Sequence, residues 1–188
     1  MTTYLLRHGQ SLGNRDLVFS GTSDHALTEL GRRQAREAGL RMAGARFAHV
    51  LTSQLGRAME TADIFLDAAG AHVDNRSVHA ELNERDFGSY ESRQQAPLEP
   101  ESEIEIARRI CWDVEFAPPG GESMRQTHTR AIGFLEVMQR LAADGDILVV
   151  SHGNVLRSMT LHVLGWPIDM LPEMPSRNCL ITRLPLLP

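Results

Sequence analysis

The stretch Asp146-Ile147-Leu148-Val149-Val150-Ser151-His152-Gly153-Asn154 decides how the rest of the chain reads. Its run of apolar residues, rich in β-branched types and bounded by Asp146 and by Ser151-His152-Gly153, predicts a buried strand that ends in a polar turn. Residues 155–164 then take up a helical period. The unit is therefore strand, turn, helix, and the same unit recurs upstream. Tyr4-Leu5-Leu6 predicts a short strand running into Arg7-His8-Gly9, and Thr28 caps a helix whose Ala35, Ala38, Gly39 and Met42 share one face. On its exposed side Glu29 with Arg33, and Glu37 with Arg41, are spaced as i,i+4 pairs.

Residues 48–52 predict another strand, with Ser53 as a helix cap and Ala62, Phe65, Leu66 and Ala69 as the buried stripe that follows. Residues 73–80 carry a weaker strand signal. Ala131, Phe134, Leu135, Met138 and Ala142 continue a helical period just before the 146–150 strand, and residues 179–184 predict a last edge strand. Residues 89–121 have little period, four prolines (Pro97, Pro100, Pro118, Pro119) and a run of acids between Glu99 and Glu105, so they form an excursion with some helix, a lid or pocket wall. Strands alternating with amphipathic helices give an α/β fold: a single three-layer domain over 1–188, with a mostly parallel central sheet flanked by helices.

Composition narrows the chemistry. All 19 cationic residues are arginine and lysine does not occur, which removes Schiff-base enzymes, pyridoxal-phosphate anchoring and the P-loop lysine. A net charge of -5 argues against nucleic acid, whose backbone selects clustered cations, and leaves room for a small anionic substrate. No apolar run reaches membrane-spanning length. Cys111 and Cys179 have no CxxC or zinc-ligand spacing and read as buried free thiols. The first residues carry neither a basic segment nor a long apolar one, so the expected location is the cytoplasm. Nothing in the sequence sets an oligomeric state.

In open α/β sheets ligands bind beyond the carboxyl ends of the strands. Arg7-His8-Gly9, Ser53-Gln54-Leu55-Gly56-Arg57, Glu81-Leu82-Asn83-Glu84 and Ser151-His152-Gly153-Asn154 stand at four such ends. Singly, each has an ordinary explanation: a turn histidine, a helix-surface arginine, a solvated loop acid. Together they place two histidines, two arginines and a carboxylate on one rim. Guanidinium forks and imidazoles around one point bind phosphate, and an imidazole that donates one nitrogen to a backbone carbonyl can attack phosphorus with the other. Glu84 can then protonate the leaving alkoxide and take a proton from the attacking water.

With these residues in view the sequence resembles the histidine phosphatase superfamily, also called the phosphoglycerate mutase-like family. The family's opening signature is matched by Arg7, His8, Gly9, Gln10, Ser11 and Asn14. Its next pattern is matched by Gly21, Asp24, Leu27, Thr28, Gly31, Gln34 and Ala35, and a third by Ser53, Leu55, Arg57, Ala58, Thr61 and Ala62, with Gln54 where proline is common. Similarity continues through residues 82–88, 120–123 and 151–154 and covers nearly the whole chain.

The resemblance implies His8 as the phosphorylated nucleophile, Arg7, Arg57 and a charged His152 on the phosphoryl oxygens, and Glu84 as acid and base. It places Asn14, Ser20, Gly21, Gly153 and Asn154 along the phosphate site, and it implies neither metal nor cofactor. The partner expected is a small phosphorylated substrate. Family members are phosphatases or mutases. Asn83-Glu84-Arg85 and His152-Gly153-Asn154 resemble mutase wording, and Arg108-Arg109 echoes the paired arginines of mutases, although adjacent arginines in an acidic segment are ordinarily surface charges. The short segment after Glu84, the absence of lysine and Ser92 in place of a common glycine favour a phosphatase of small metabolites. A mutase, a protein phosphohistidine phosphatase and a binding protein with a decayed site are the alternatives.

Overall fold

The structure, a computed structural model, describes residues 1–96 and 100–184. Five strands form one sheet: β1 (Thr3–Arg7), β2 (Arg46–Thr52), β3 (His72–Val78), β4 (Ile147–Ser151) and β5 (Ile181–Leu184). Their order is β3-β2-β4-β1-β5, parallel except for β5, which runs antiparallel beside β1. Among the described residues seven helices flank the sheet: α1 (Leu12–Arg15), α2 (Glu29–Leu40), α3 (Gly56–Ala69), α4 (Glu101–Trp112), α5 (Met124–Gly133), α6 (Leu135–Leu141) and α7 (Gly153–Val163).

Alternate side chains of the central strands serve opposite faces, as the pleat requires. Leu6, Val50, Leu148 and Val150 pack against α2 and α3 through Ala35, Ala38, Ala62 and Phe65. Leu5, Leu51, Ile147 and Val149 pack against α5, α6 and α7 through Ala131, Met138, Val155 and Met159. Both faces are covered, so β4 is apolar from Ile147 to Val150 and fully buried. β3 is an edge strand that is mostly exposed, and its polar residues explain its faint signal. Gly39 allows α2 and α3 to approach closely, since a Cβ there would stand 2.3 Å from the Phe65 carbonyl oxygen.

Four expectations need correction. Ser53 does not cap α3, which begins after Leu55; the Asp24 carboxylate takes the Gly56 and Arg57 N–H groups instead, at 2.6 and 3.3 Å. Glu29 pairs with Arg32, not Arg33, and among the described residues no ion pair joins Glu37 to Arg41. The stripe from Ala131 to Ala142 spans two helices, with the break at Phe134 after Gly133, although Ala131, Phe134, Leu135 and Met138 stay buried. Cys179 is buried, whereas Cys111 is only partly so; burial pushes both thiols up, that of Cys179 to about 12. The excursion at 89–121 contains helix as expected, α4, and Arg85 donates to the carbonyls of Ile110, Phe116 and Glu122 at 2.7–2.8 Å. Pro97 and Glu99 of that excursion lie outside the described residues. Among the described residues no helix is long and apolar enough to cross a membrane.

Candidate active site

Register brings the two histidines together. Arg7 of β1 and Ser151 of β4 are paired neighbours, and one residue further each strand ends in a histidine. His8 N–H donates to the Ser151 carbonyl at 3.0 Å, and the rings of His8 and His152 lie with centroids 5.0 Å apart. Both are buried. The His8 loop is fixed from below, because Gly9 N–H donates to Thr61 Oγ1 (3.0 Å) and Thr61 in turn donates to the Arg57 carbonyl (2.6 Å). It packs directly on the start of α2, where a Cβ on Gly9 would meet the Gly31 carbonyl oxygen at 2.4 Å.

His8 Nδ1 lies 2.7 Å from the Gly9 carbonyl, so Nδ1 carries the hydrogen and Nε2 keeps a lone pair. Burial, with Arg7 and Arg57 alongside, holds His8 well below the ordinary histidine value, so its ring is neutral near pH 7. His152 is pushed down as well, by burial and then by His8, Arg57 and Arg7. In the free protein the His152 ring is therefore neutral near pH 7. Its Nε2 lies 2.7 Å from Ser53 Oγ, which itself accepts from Leu55 N–H at 3.3 Å. A Ser53 hydroxyl that donates to Nε2 leaves a hydrogen on Nδ1, and Nδ1 is a buried nitrogen with no protein partner.

Arg57 is buried, which rules out the helix-surface reading. Its Nη1 donates to the Ser23 carbonyl (2.8 Å) and Nη2 to those of Ser20 and Gly21 (3.1 and 2.6 Å). Arg7 Nη1 donates to the Ser176 carbonyl. The Nε of each arginine is buried and without a protein partner. Burial draws both guanidiniums below their ordinary value, with the Glu84 charge opposing, and they remain cations at any working pH.

Glu84 is buried beside them. Its Oε1 accepts from Arg85 N–H at 2.8 Å and Asn154 N–H at 3.2 Å, while Oε2 has only a 3.3 Å contact to Asn154 N–H. Gly153 lies between acid and cation: a Cβ there would stand 3.0 Å from Ser176 Oγ, 3.6 Å from Glu84 Oε2 and 3.7 Å from the Arg7 guanidinium carbon. The start of α7 thus faces the site with its partial positive charge.

The remaining expected residues are present with other duties. Asn14 closes the capping box of α1 with Ser11, and its Oδ1 accepts from Asn178 Nδ2 at 3.1 Å. Gly21 N–H is already given to Glu91. Ser20 Oγ is buried without a partner, and Gly13 leaves it room, because a Cβ on Gly13 would sit 1.9 Å from it. Arg108 and Arg109 are turned outward and paired with Glu105 and Asp113.

Three contributors have roles that the sequence reading does not assign. Asp24 holds the start of α3. Glu91 accepts the N–H groups of Gly21, Thr22, Ser23 and Phe87 at 2.9–3.1 Å and so shapes the loop that grips Arg57. Burial raises its carboxyl, but these donors bring it below the ordinary range. Asn178 Nδ2 donates to the His8 carbonyl at 2.9 Å. Ser92 has φ of 62°, the left-handed region that glycine enters without strain. Among the described residues no group of three His, Cys, Asp or Glu side chains is placed to hold a metal ion.

The family model of the histidine phosphatase superfamily, branch 1, matches residues 3–186. The chain belongs to that superfamily. A protein of Erwinia tasmaniensis named "Probable phosphoglycerate mutase GpmB" is 34% identical over 183 residues, 97% of this chain and 84% of that protein. Among solved structures, the α-ribazole phosphatase of Shigella flexneri superposes with a TM-score of 0.83 at 28% identity, covering 97% of this chain and 89% of that one. A mycobacterial glucosyl-3-phosphoglycerate phosphatase, solved in complex with VO3, gives 0.79 at 26% identity, with 97% and 91% coverage. Membership makes the chain a phosphoryl-transfer enzyme, and its relatives carry both mutase and phosphatase names.

Proposed function

We propose that the chain is a metal-independent phosphatase of small phosphorylated metabolites acting through a phosphohistidine. The observation that carries this reading is His8: neutral, Nδ1 tied to the Gly9 carbonyl, Nε2 with its lone pair, and two buried guanidiniums beside it. In the first step Nε2 forms a bond to phosphorus as the bond to the ester oxygen breaks, and the departing alkoxide takes a proton from Glu84. In the second, water attacks phosphorus, gives its proton to Glu84, and the N–P electron pair returns to His8.

Arg7 and Arg57 meet the phosphoryl oxygens from a fixed position, because backbone carbonyls already set their planes. His152 offers its Nδ1 hydrogen and gains charge only when the phosphate dianion arrives. Asn14, Ser20, Gly21, Gly153 and Asn154 shape the pocket around that anion. Positive charge supplied by guanidiniums does the work that Mg²⁺ does in other phosphoryl transfers.

Hydrolysis is favoured over mutase chemistry by Arg108 and Arg109. They pair with Glu105 and Asp113, and the Arg109 guanidinium stacks 4.1 Å from the Phe116 ring centre, so neither reaches toward Glu84 as a substrate clamp. The mutase reading is supported by the names of the sequence relatives. A panel of phosphomonoesters in chelator, scored for both phosphate release and isomerisation, separates the two. Release without isomerisation is expected, and isomerisation outrunning release supports the mutase.

A further inference from the structure

The last strand joins the sheet irregularly. Regular pairing of β5 with β1 begins at Ile181 opposite Leu6, and Arg7 faces two residues: its carbonyl accepts from Cys179 N–H at 3.0 Å and its N–H donates to the Leu180 carbonyl at 3.4 Å. This two-against-one arrangement is a β-bulge of the kind whose first residue is left-handed and ordinarily glycine. Here that residue is Cys179, with φ of 53°, a conformation that non-glycine residues seldom adopt. Bulges next to active sites re-aim side chains, and the residue that enters this one, Asn178, reaches the backbone of His8.

Asn178 Nδ2 donates to the His8 carbonyl at 2.9 Å and to Asn14 Oδ1 at 3.1 Å, which commits both of its hydrogens. Asn14 Oδ1 also accepts from Ser11 N–H at 3.2 Å, so both of its lone pairs are taken. Neither amide can be turned end for end. A backbone carbonyl only accepts, which requires the Asn178 nitrogen at His8, and a backbone N–H only donates, which requires the Asn14 oxygen at Ser11. Asn14 Nδ2 is left with two hydrogens for which no acceptor stands among the described residues. It belongs to a side chain that shares its donor with the backbone of the nucleophile.

We infer that Asn178 is a positioning residue: by saturating Asn14 Oδ1 it keeps Asn14 Nδ2 turned to the phosphoryl group that His8 attacks. The inference rests on the proposed roles of His8 and Asn14 and adds the group that orients the Asn14 donor. Without Asn178 the amide keeps Ser11 N–H as a tie and loses the one that couples it to His8. Its hydrogens then meet the phosphoryl oxygens in only a fraction of the molecules.

The test uses the full chain and inorganic phosphate, whose affinity is measured by isothermal titration calorimetry for the parent, Asn178→Ala, Asn14→Ala and the double variant, with thermal unfolding of each alongside. Asn178→Ala should weaken phosphate binding roughly tenfold, the scale of one hydrogen bond to a charged group. In the Asn14→Ala background the same substitution should change binding by less than about twofold, because residues that act as a unit are not additive. A merely structural Asn178 would lower the unfolding midpoint and weaken binding by the same factor in both backgrounds. That result overturns the inference, as does unchanged binding in Asn178→Ala. In the unaltered chain the NMR signals of the Asn14 side-chain amide should move when phosphate is added, a readout that needs no variant to fold, and signals that stay in place overturn the inference too. Release of phosphate from p-nitrophenyl phosphate is followed separately. None from the parent overturns the phosphatase reading, while the binding measurements still decide the role of Asn178.

Discussion

Asp24 Oδ1 accepts from both the backbone N–H of Arg57, at 3.3 Å, and its Nη1, at 3.4 Å, while Oδ2 accepts from Gly56 N–H at 2.6 Å. One carboxylate thus caps α3 and holds the head of the buried cation that leaves its first turn. Helix stability and phosphate binding are coupled through it.

Asp24→Ala should therefore cost about 1 kcal/mol of stability, the usual worth of an N-cap, and also weaken competitive inhibition by inorganic phosphate. Asp24→Asn keeps an acceptor for the backbone donors and should recover most of the stability. Chemical denaturation and inhibition constants for the two variants check this. Equal losses in both would mean that the cap acts by charge alone.

The two site histidines give stability a dependence on pH of known sign. Each binds its proton near pH 6.5 when unfolded but only well below that value when folded, so the unfolded chain holds more protons in between. Stability should rise with pH through this window and fall as pH drops below about 6.5, by up to about 1.4 kcal/mol per pH unit for each histidine. Urea unfolding at a series of pH values should give a shallower slope for His8→Asn than for the parent. Parallel slopes would show that burial does not suppress protonation of His8.

Oxyanion binding follows from the same cations. Turnover should survive chelation, and vanadate should inhibit, since its trigonal-bipyramidal form mimics the transferring phosphoryl group. Assays with EDTA and a vanadate titration suffice. Activity lost to EDTA and restored by a divalent ion would contradict a site charged by arginine alone.

Glu84→Gln separates proton transfer from binding. Turnover of alkyl esters should fall by ~10²- to 10⁴-fold while phosphate affinity is retained. With p-nitrophenyl phosphate the departing phenolate needs no acid, so a burst of about one equivalent per site should precede slow hydrolysis. No burst together with lost phosphate affinity would make Glu84 a structural carboxylate, with Glu81 the next residue to examine.

Much of the fold was legible because parallel strands covered on both faces are written as apolar runs, as at Leu5-Leu6 and in β4. The edge strand β3 buries too little to leave a pattern. The break between α5 and α6 was hidden because the apolar stripe runs on through Phe134 although the backbone does not. His8, Arg57, Glu84 and His152 could be found because strand ends collect ligands. The roles of Asp24, Glu91 and Asn178 could not: their contacts reach across 32, 70 and 170 residues, and no local period records such pairings. Ser53 was legible as a polar residue at a strand end but not as the partner of His152, which stands 99 residues away.

The most direct test of the central claim is the identity of the phosphorylated residue. The protein is mixed with a radiolabelled phosphomonoester, quenched in alkaline denaturant, and the label is mapped to a peptide. Label on His8 is expected, stable to base and lost in acid, absent from His8→Ala and still formed, more slowly, in His152→Ala. Label that persists in His8→Ala and vanishes in His152→Ala would invert the two roles, and label that withstands acid would remove the phosphohistidine altogether.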